Sequence, residues 1–383
     1  MNFRYYFLTL LLSSLPLSTL AEVYEMPADG NDVIGALTTV TAREADTLLD
    51  IARRHGLGYE GIVRANPDVD IWLPGEGTEV VLPTRYVLPP GPRTGIVLNL
   101  AEYRMYYFPT PKADEPAIVM TYPMSIGRMD WETPLGRTKV IAKVRNPSWY
   151  PPESIRAEHA ADGRPLERIV PAGPDNPLGE YAMRLGLPGY LIHGTNRPAG
   201  VGMRVTHGCV RMFPEDIDFL FGQVEVNTPV RIINEPVKMG WDNDELVVEV
   251  HRTLEFVPPA VEETTESTDQ AVAESTDQAV AESTDQAVAE STDQAVAEST
   301  DQAVAESTDQ AATDGAGNEE EIIVAPPVRG AMTALTEQFV LVTNSRPGQL
   351  DWDVAEQMLE RADGIPAIAG RKINDAATSA ASE

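Results

Sequence analysis

Cysteine is almost missing from this 383-residue chain: Cys209 is its single thiol. One cysteine cannot close an internal disulfide, so nothing in the fold depends on an intrachain crosslink. Histidine is nearly as scarce, with five in all. Basic residues vanish between Val261 and Val328, where 18 acidic residues stand without one Lys or Arg, more than half of the net charge of -30. Clustered Lys and Arg, the footprint of a nucleic-acid surface, occur nowhere. Long apolar runs are lacking too. The longest useful one, Phe7 to Leu17, is too short to span a bilayer comfortably.

That short run has a better reading. Arg4 precedes it, and Thr19-Leu20-Ala21 follows as a small-x-small cleavage site. Residues 1–21 are therefore expected to be a secretory signal peptide, with the mature chain starting near Glu22. No cysteine follows the apolar segment, which excludes lipid attachment there, and no permanent membrane span is expected. An exported protein meets an oxidising compartment, where a lone thiol is a liability unless it has a use. Cys209 is thus a candidate reactive thiol before any motif is considered.

Hydrophobic residues make up 43% of the chain, as in a globular protein, and the length allows two or three domains. Residues 36–84 read as a small module. Leu37 to Val40 and Thr78 to Leu82 suit strands. Leu48, Leu49, Ile51 and Ala52 mark an amphipathic helix from Thr47 to His55, with Asp46 as its expected N-cap and Gly56 as its stop. Tyr59 to Ala65 suits a second helix, ended by Asn66-Pro67. The order is strand-helix-helix-strand.

A larger, mainly β domain is expected over residues 95–234. Strand candidates are Ile96 to Leu100, Tyr103 to Phe108, Ala117 to Tyr122, Thr138 to Val144, Tyr190 to Ile192 and Val230 to Ile233. Its clearest helix is Pro214 to Val224, with Ile217, Leu220, Phe221 and Val224 on one face and Pro214 in the first turn. Cys209 then falls on a loop just before that helix.

From Glu266 the octapeptide Glu-Ser-Thr-Asp-Gln-Ala-Val-Ala repeats five times without error, and Glu306 to Thr313 is a sixth, degenerate copy. Each copy offers one Val as its only large apolar group. Burial cannot offset the entropy of ordering, so residues 261–321 are expected to be a disordered acidic linker. Residues 322–383 are expected to be a C-terminal tail, without a functional reading. Within it Ala331 to Val342 is apolar enough to fold or dock, and Trp352 to Ala362 suits a helix.

Chemistry concentrates in Ile192-His193-Gly194-Thr195 and Thr206-His207-Gly208-Cys209-Val210-Arg211. A thiol reacts as thiolate, and an unperturbed cysteine has a pKa of about 8.5. A histidine in reach can take the proton, provided a third group orients its ring. His193 would project from the end of a strand. Successive amides at His207, Gly208 and Cys209 could face a developing oxyanion, with Gly208 permitting the backbone this needs. Arg211 could hold a substrate carboxylate or an oxyanion. Two rivals stand beside this reading: an inert buried cysteine with a structural histidine, and a zinc site built from His193, His207 and Cys209.

The residues also match a family pattern. A His-Gly pair, a gap, then Ser/Thr-His-Gly-Cys with Arg or Asn two places on is the signature of the YkuD-type catalytic domain of L,D-transpeptidases. The stretch Gly95 to Asn234 resembles that domain through His193-Gly194 and Thr206 to Arg211, supported by Ser125-Ile126-Gly127, Thr133-Pro134-Leu135-Gly136 and Asn176-Pro177-Leu178-Gly179. Residues 36–84 resemble a LysM module through Asp46-Thr47-Leu48, Ile51-Ala52 and Leu73-Pro74-Gly75, with Ala45 where such modules have Gly. The whole layout is similar to the ErfK/YbiS group of Gram-negative envelopes.

The resemblance implies a mainly β fold: the L,D-transpeptidase β-sandwich with few helices, preceded by a βααβ LysM-like, glycan-binding module and followed by the disordered acidic repeat. It implies a periplasmic acyltransferase that needs neither metal nor cofactor. Cys209 would be the nucleophile and His193 the general base, oriented by the Gly194 backbone. His207 and Gly208 would supply oxyanion amides, and Arg211, Thr206 and Thr195 would touch substrate. The partners implied are peptidoglycan stem peptides and glycan, with a stem amine, a lysine of an envelope lipoprotein or water as acyl acceptor. Water would make the enzyme a hydrolase. A wall-binding protein with an inert catalytic domain is the reading from another class.

Overall fold

A computed structural model describes residues 22–129, 131–254 and 330–373. The expected signal peptide and the octapeptide repeat lie outside the described residues. No helix among the described residues is long and apolar enough to cross a membrane.

The described chain opens with a strand the sequence did not mark, β1 (Glu22–Glu25). Next come β2 (Val33–Thr41), α1 (Leu48–Arg54), α2 (Tyr59–Ala65) and β3 (Glu79–Val87). This is the strand-helix-helix-strand order read from the sequence. The strands are longer than expected, because β2 and β3 pair antiparallel from Val33↔Val87 to Thr41↔Glu79. Leu48, Ile51 and Ala52 of α1 meet Leu57, Ile62, Val80 and Leu82 in a small core. The Asn66 amide donates to the Ile62 and Val81 carbonyls, and its oxygen accepts from the Val81 amide, bracing α2 against β3.

The cap of α1 differs from expectation. Thr47, not Asp46, is the N-cap. Its hydroxyl accepts from the Asp50 amide at 3.1 Å, while the Asp50 carboxylate accepts from the Thr47 amide at 3.0 Å, a capping box with Asp at its third position. Asp46 is drawn off by a stronger partner. It accepts both Arg54 N–H groups at 2.7 Å and the Arg43 amide at 3.0 Å. A bidentate guanidinium outcompetes a single helix amide for a carboxylate.

The larger domain is built from β4 (Gly95–Asn99), β5 (Arg104–Phe108), β6 (Ile118–Pro123), β7 (Ile126–Gly127), β8 (Gly136–Arg145), α3 (Glu153–Ala161), β9 (Tyr181–Leu185), β10 (Leu191–His193), β11 (Arg204–Thr206), β12 (Val210–Arg211), α4 (Pro214–Gln223) and β13 (Pro229–Ile233). Nine strands form one sheet in the order β1-β6-β5-β4-β13-β8-β9-β10-β12. Alternation divides its residues between two cores. On one face Ile96, Leu98, Met105, Ile192 and Val210 pack with Ile217, Leu220 and Phe221 of α4. On the other, Val97, Tyr106, Phe108 and Val119 meet Ile34 and Tyr86 of the β2–β3 ribbon. The sheet is therefore covered by a helix on one side and a β-ribbon on the other.

Beyond it lie β14 (Val237–Asp242), β15 (Glu245–Val250), α5 (Ala331–Thr343), β16 (Gly348–Leu350), α6 (Trp352–Arg361) and β17 (Ala367–Lys372). Residues 330–373 do not run off as a tail. β17 pairs with β15 on one side and β16 on the other, giving the sheet β14-β15-β17-β16. Leu335 of α5 and Ala355 and Met358 of α6 close a core over Val237, Leu246 and Val248. Residues 237–250 and 330–373, far apart in sequence, thus build one sheet and one core.

Lys238 of β14 is fully buried, and its ammonium joins three parts of the molecule. It donates to the Val87 carbonyl at 2.6 Å, to Glu102 at 2.7 Å and to the Tyr106 hydroxyl at 3.1 Å, and pairs with Glu249 at 3.0 Å. Glu249 also accepts from the Val87 amide and faces His251 Nε2, both at 2.6 Å. Burial pushes the Glu249 carboxyl upward, but Lys238 and His251 outweigh that and hold it below its usual range.

Candidate active site

β10 and β12 lie side by side and parallel, with Ile192 opposite Val210 and His193 opposite Arg211. Ile192 and Val210 point into the core. The strand pleat then sends Leu191, His193, Cys209 and Arg211 to the other face. Two segments separated by a loop in sequence so present histidine, thiol and guanidinium on one surface.

His193 is 4% exposed. Its Nδ1 lies 2.7 Å from the Gly194 carbonyl. A carbonyl only accepts, so the ring proton sits on Nδ1 and Nε2 is left as the base. Burial, with Arg211 adding its charge, lowers the His193 pKa to about 3, against the carbonyls of Gly194 and Leu178. The imidazole is therefore held toward its neutral form. Cys209 is half-buried, and its Sγ donates to the Gly189 carbonyl at 3.5 Å. Burial pushes the thiol above its usual range, against the Leu191 backbone and the Arg211 charge. Burial thus pushes both groups toward their neutral forms, the thiol upward and the imidazole downward.

The loop from Thr206 to Cys209 is shaped by its own residues. The Thr206 hydroxyl donates to the Cys209 carbonyl at 2.6 Å. Gly208 has φ +98°, and a Cβ there would meet the Tyr190 ring at 2.7 Å. No other residue fits both the backbone and the ring. The Gly208 carbonyl is held by the Thr133 hydroxyl at 2.8 Å, and Thr133 Oγ1 accepts from the Gly127 amide at 3.1 Å. Asn176 supports the histidine side: its amide donates to the Pro147, Val170 and Pro171 carbonyls, and its oxygen accepts from the Leu178 amide. Leu178 in turn gives His193 one of its carbonyl neighbours.

Two residues expected at the substrate also serve the loops that carry them. Thr206 and Thr195 are both buried. Thr206 closes the nucleophile loop, and Thr195 Oγ1 accepts from the Arg197 amide at 2.9 Å. Short hydroxyls bond most readily to nearby backbone, and here both act on the loops that carry them. Arg211 differs. It lies on the Cys209 face, and its Nε has no hydrogen-bond partner among the described residues. Burial and neighbouring Arg197 push its guanidinium below the usual range, an arrangement an incoming carboxylate would relieve.

His207 turns its Nε2 to Glu158 of α3 at 3.0 Å, and its ring packs edge-on against Trp131 with centroids 5.1 Å apart. Among the described residues, the acid and imidazole donors close enough to share an ion are Glu102, Glu249 and His251, and buried Lys238 is paired with both of those carboxylates. His193, His207 and Cys209 form no such group there, so the zinc reading has no geometric support.

Comparison with known proteins agrees with this geometry. Residues 93–232 match the L,D-transpeptidase catalytic domain, YkuD. The probable L,D-transpeptidase YbiS of Escherichia coli K12 is 43% identical over 238 residues, covering 61% of this chain and 76% of that protein. YcfS and ErfK/SrfK of the same strain, also probable L,D-transpeptidases, are each 40% identical, covering 63% and 62% of this chain and 76% of theirs. The chain belongs to the L,D-transpeptidase family. As an L,D-transpeptidase it is an acyltransferase. The family signature falls on β10, the Thr206–Cys209 loop and β12, where the histidine and the thiol share a face. This L,D-transpeptidase adds residues the sequence did not single out, namely Tyr190, Trp131 and Glu158. Tyr190 and Trp131 carried no spacing signal. Glu158 sits on a helix with one buried apolar residue, Ile155, and therefore no amphipathic stripe to reveal it.

Proposed function

We propose that this chain is a periplasmic peptidoglycan L,D-transpeptidase in which Cys209 is the nucleophile and His193 the base. The observation that carries the reading is the shared face of β10 and β12, with His193 Nδ1 fixed on the Gly194 carbonyl and Nε2 left as acceptor. Cys209 attacks the carbonyl joining diaminopimelate to the terminal D-Ala of a stem tetrapeptide. The thiol proton passes to His193 Nε2 and then to the departing D-Ala amine, leaving a thioester on sulfur. The amides of His207, Gly208 and Cys209 hold the oxyanion. Arg211 takes a stem-peptide carboxylate. An acceptor amine, from a second stem or from a lipoprotein lysine, then loses its proton to His193 and takes the acyl group; water in its place gives hydrolysis.

Burial favours the neutral form of both the thiol and the imidazole, and in this reading proton transfer belongs to the attack itself. Residues 95–234 are the catalytic domain in this reading, and residues 36–84 a LysM-like module that holds glycan strands. The exposed Trp72 and Leu73, on a turn fixed by Asp70, offer that module a surface for sugar rings.

The test is intact mass after mixing the mature protein with a tetrapeptide-bearing muropeptide. The wild-type chain gains the acyl mass and releases D-Ala; Cys209→Ala does neither. A wild-type chain that never gains the mass overturns the proposal. Products formed with competing amines then identify the acceptor: a new amide means transfer, and free acid alone means hydrolysis.

A further inference from the structure

Glu158 stands outside the signature, yet it reaches the nucleophile loop directly. One carboxylate oxygen accepts from Arg128 Nη1 at 2.8 Å, and the other faces His207 Nε2 at 3.0 Å. The Arg128 amide itself donates to the Thr206 carbonyl at 2.9 Å, and Trp131, whose amide bonds the Arg128 carbonyl, lies against the His207 ring. The segment before β8 and the helix α3 thus grip the same residue, His207, from two sides. Arg128 first and His207 second hold the Glu158 carboxyl down at about 2, so it is ionised wherever the enzyme works.

His207 is the residue whose amide begins the proposed oxyanion run. Its neighbour Gly208 is in a left-handed conformation, held at its carbonyl by Thr133. On the other side the chain is anchored at Thr206. Those carbonyl bonds fix the peptide planes that carry the His207 and Cys209 amides. The plane between His207 and Gly208 has no such anchor of its own among the described residues, and the His207 side chain is what holds it. The sulfur has a contact of its own, on the Gly189 carbonyl.

We propose that Glu158 is a positioning residue: by fixing the His207 imidazole it aims the Gly208 amide of the His207–Cys209 run at the oxyanion without acting on the thiol. The assignment rests on the Cys209 acyl-transfer reading and concerns one part of it. A charge-assisted hydrogen bond is the suitable device, because a small displacement of oxyanion donors costs rate even when the nucleophile is intact.

Two reactions of the same sulfur separate the roles. Acylation by a tetrapeptide-bearing muropeptide builds charge on oxygen and needs the amides. Alkylation by iodoacetamide displaces iodide at carbon, passes through no oxyanion, and needs only an accessible thiolate. In Glu158→Ala, single-turnover acylation should fall about tenfold or more, while the alkylation rate stays within about twofold of wild type. Glu158→Gln, which keeps hydrogen-bonding atoms without the charge, should lie between. An equal fall in both rates in both variants would mean general damage to the loop and overturns the proposal, as does unchanged acylation in Glu158→Ala. A wild-type protein that alkylates and never acylates instead defeats the underlying acyl-transfer reading, independently of any variant.

Discussion

The protonation states of two side chains make a definite forecast. The Cys209 thiol is pushed up by burial, and His193 is pushed down to about 3. Iodoacetamide alkylation of the free enzyme should therefore rise only on the alkaline side, with an apparent pKa above that of a free cysteine, about 8.5. No step should appear near pH 6–7, because His193 does not titrate there. A plateau reached below pH 7 would show a preformed thiolate–imidazolium pair. The same histidine sets a stability trend. The folded state refuses a proton that the unfolded chain accepts near 6.5, so its contribution is full above that value and drains as pH falls toward 3. Denaturant titrations between pH 7 and 4 measure it. Cys209 and His193 stand out from residue type and glycine context alone as the candidate pair. For Thr206 and Thr195 the sequence shows a hydroxyl near the motif and not the Cys209 carbonyl or Arg197 amide that it meets.

Elements place these side chains, and one contact couples the small module to them. The loop between β10 and β11 is pinned by α2: the Tyr59 amide donates to the Val201 carbonyl at 2.9 Å and the Glu60 amide to the Gly202 carbonyl at 3.3 Å. Gly202 has φ +90°, and a Cβ there would lie 2.4 Å from the Tyr59 nitrogen. Further along, Arg53 of α1 makes a bidentate pair with Glu215 of α4 at 2.7 and 2.8 Å. The module so touches the chain both before and after the nucleophile loop. Gly202→Ala should cost about 2 kcal/mol or more in stability and lower muropeptide acylation, measured by urea denaturation and single-turnover mass. Unchanged values for both would remove the coupling. Helices α1, α2 and α4 and most strands of the large sheet were readable from their periodicity. β1 and α3 were not: β1 is four residues long, and α3 buries one apolar residue. Both are held by partners distant in sequence, Thr121 for Glu22 and His207 for Glu158, and a single sequence does not display such partners.

At the scale of the molecule, Lys238 is the point where the ribbon, the catalytic sheet and the last sheet meet. Removing its ammonium leaves Glu102 and Glu249 buried without their cation, which should cost about 3–5 kcal/mol. Lys238→Met is expected to show that loss in urea denaturation; a change below about 1 kcal/mol would mean the carboxyls are neutralised by other means. This cluster was invisible in sequence, since its members come from β5, β14 and β15 and the turn before β5.

The last sheet has one more consequence. β17, from beyond the repeat, lies between β15 and β16, and α5 and α6 cover the same core. Continuity of the chain between Leu254 and Gly330 is therefore not what keeps residues 330–373 in place. A protein clipped by an endoprotease within 255–329 should run as two polypeptides in denaturing electrophoresis and as one particle in gel filtration, with its acylation rate intact. Release of the smaller piece would show that the strand pairing does not hold it alone. The pairing of β15, β16 and β17 is then a clasp that closes across the sequence interval and holds by its own hydrogen bonds and core.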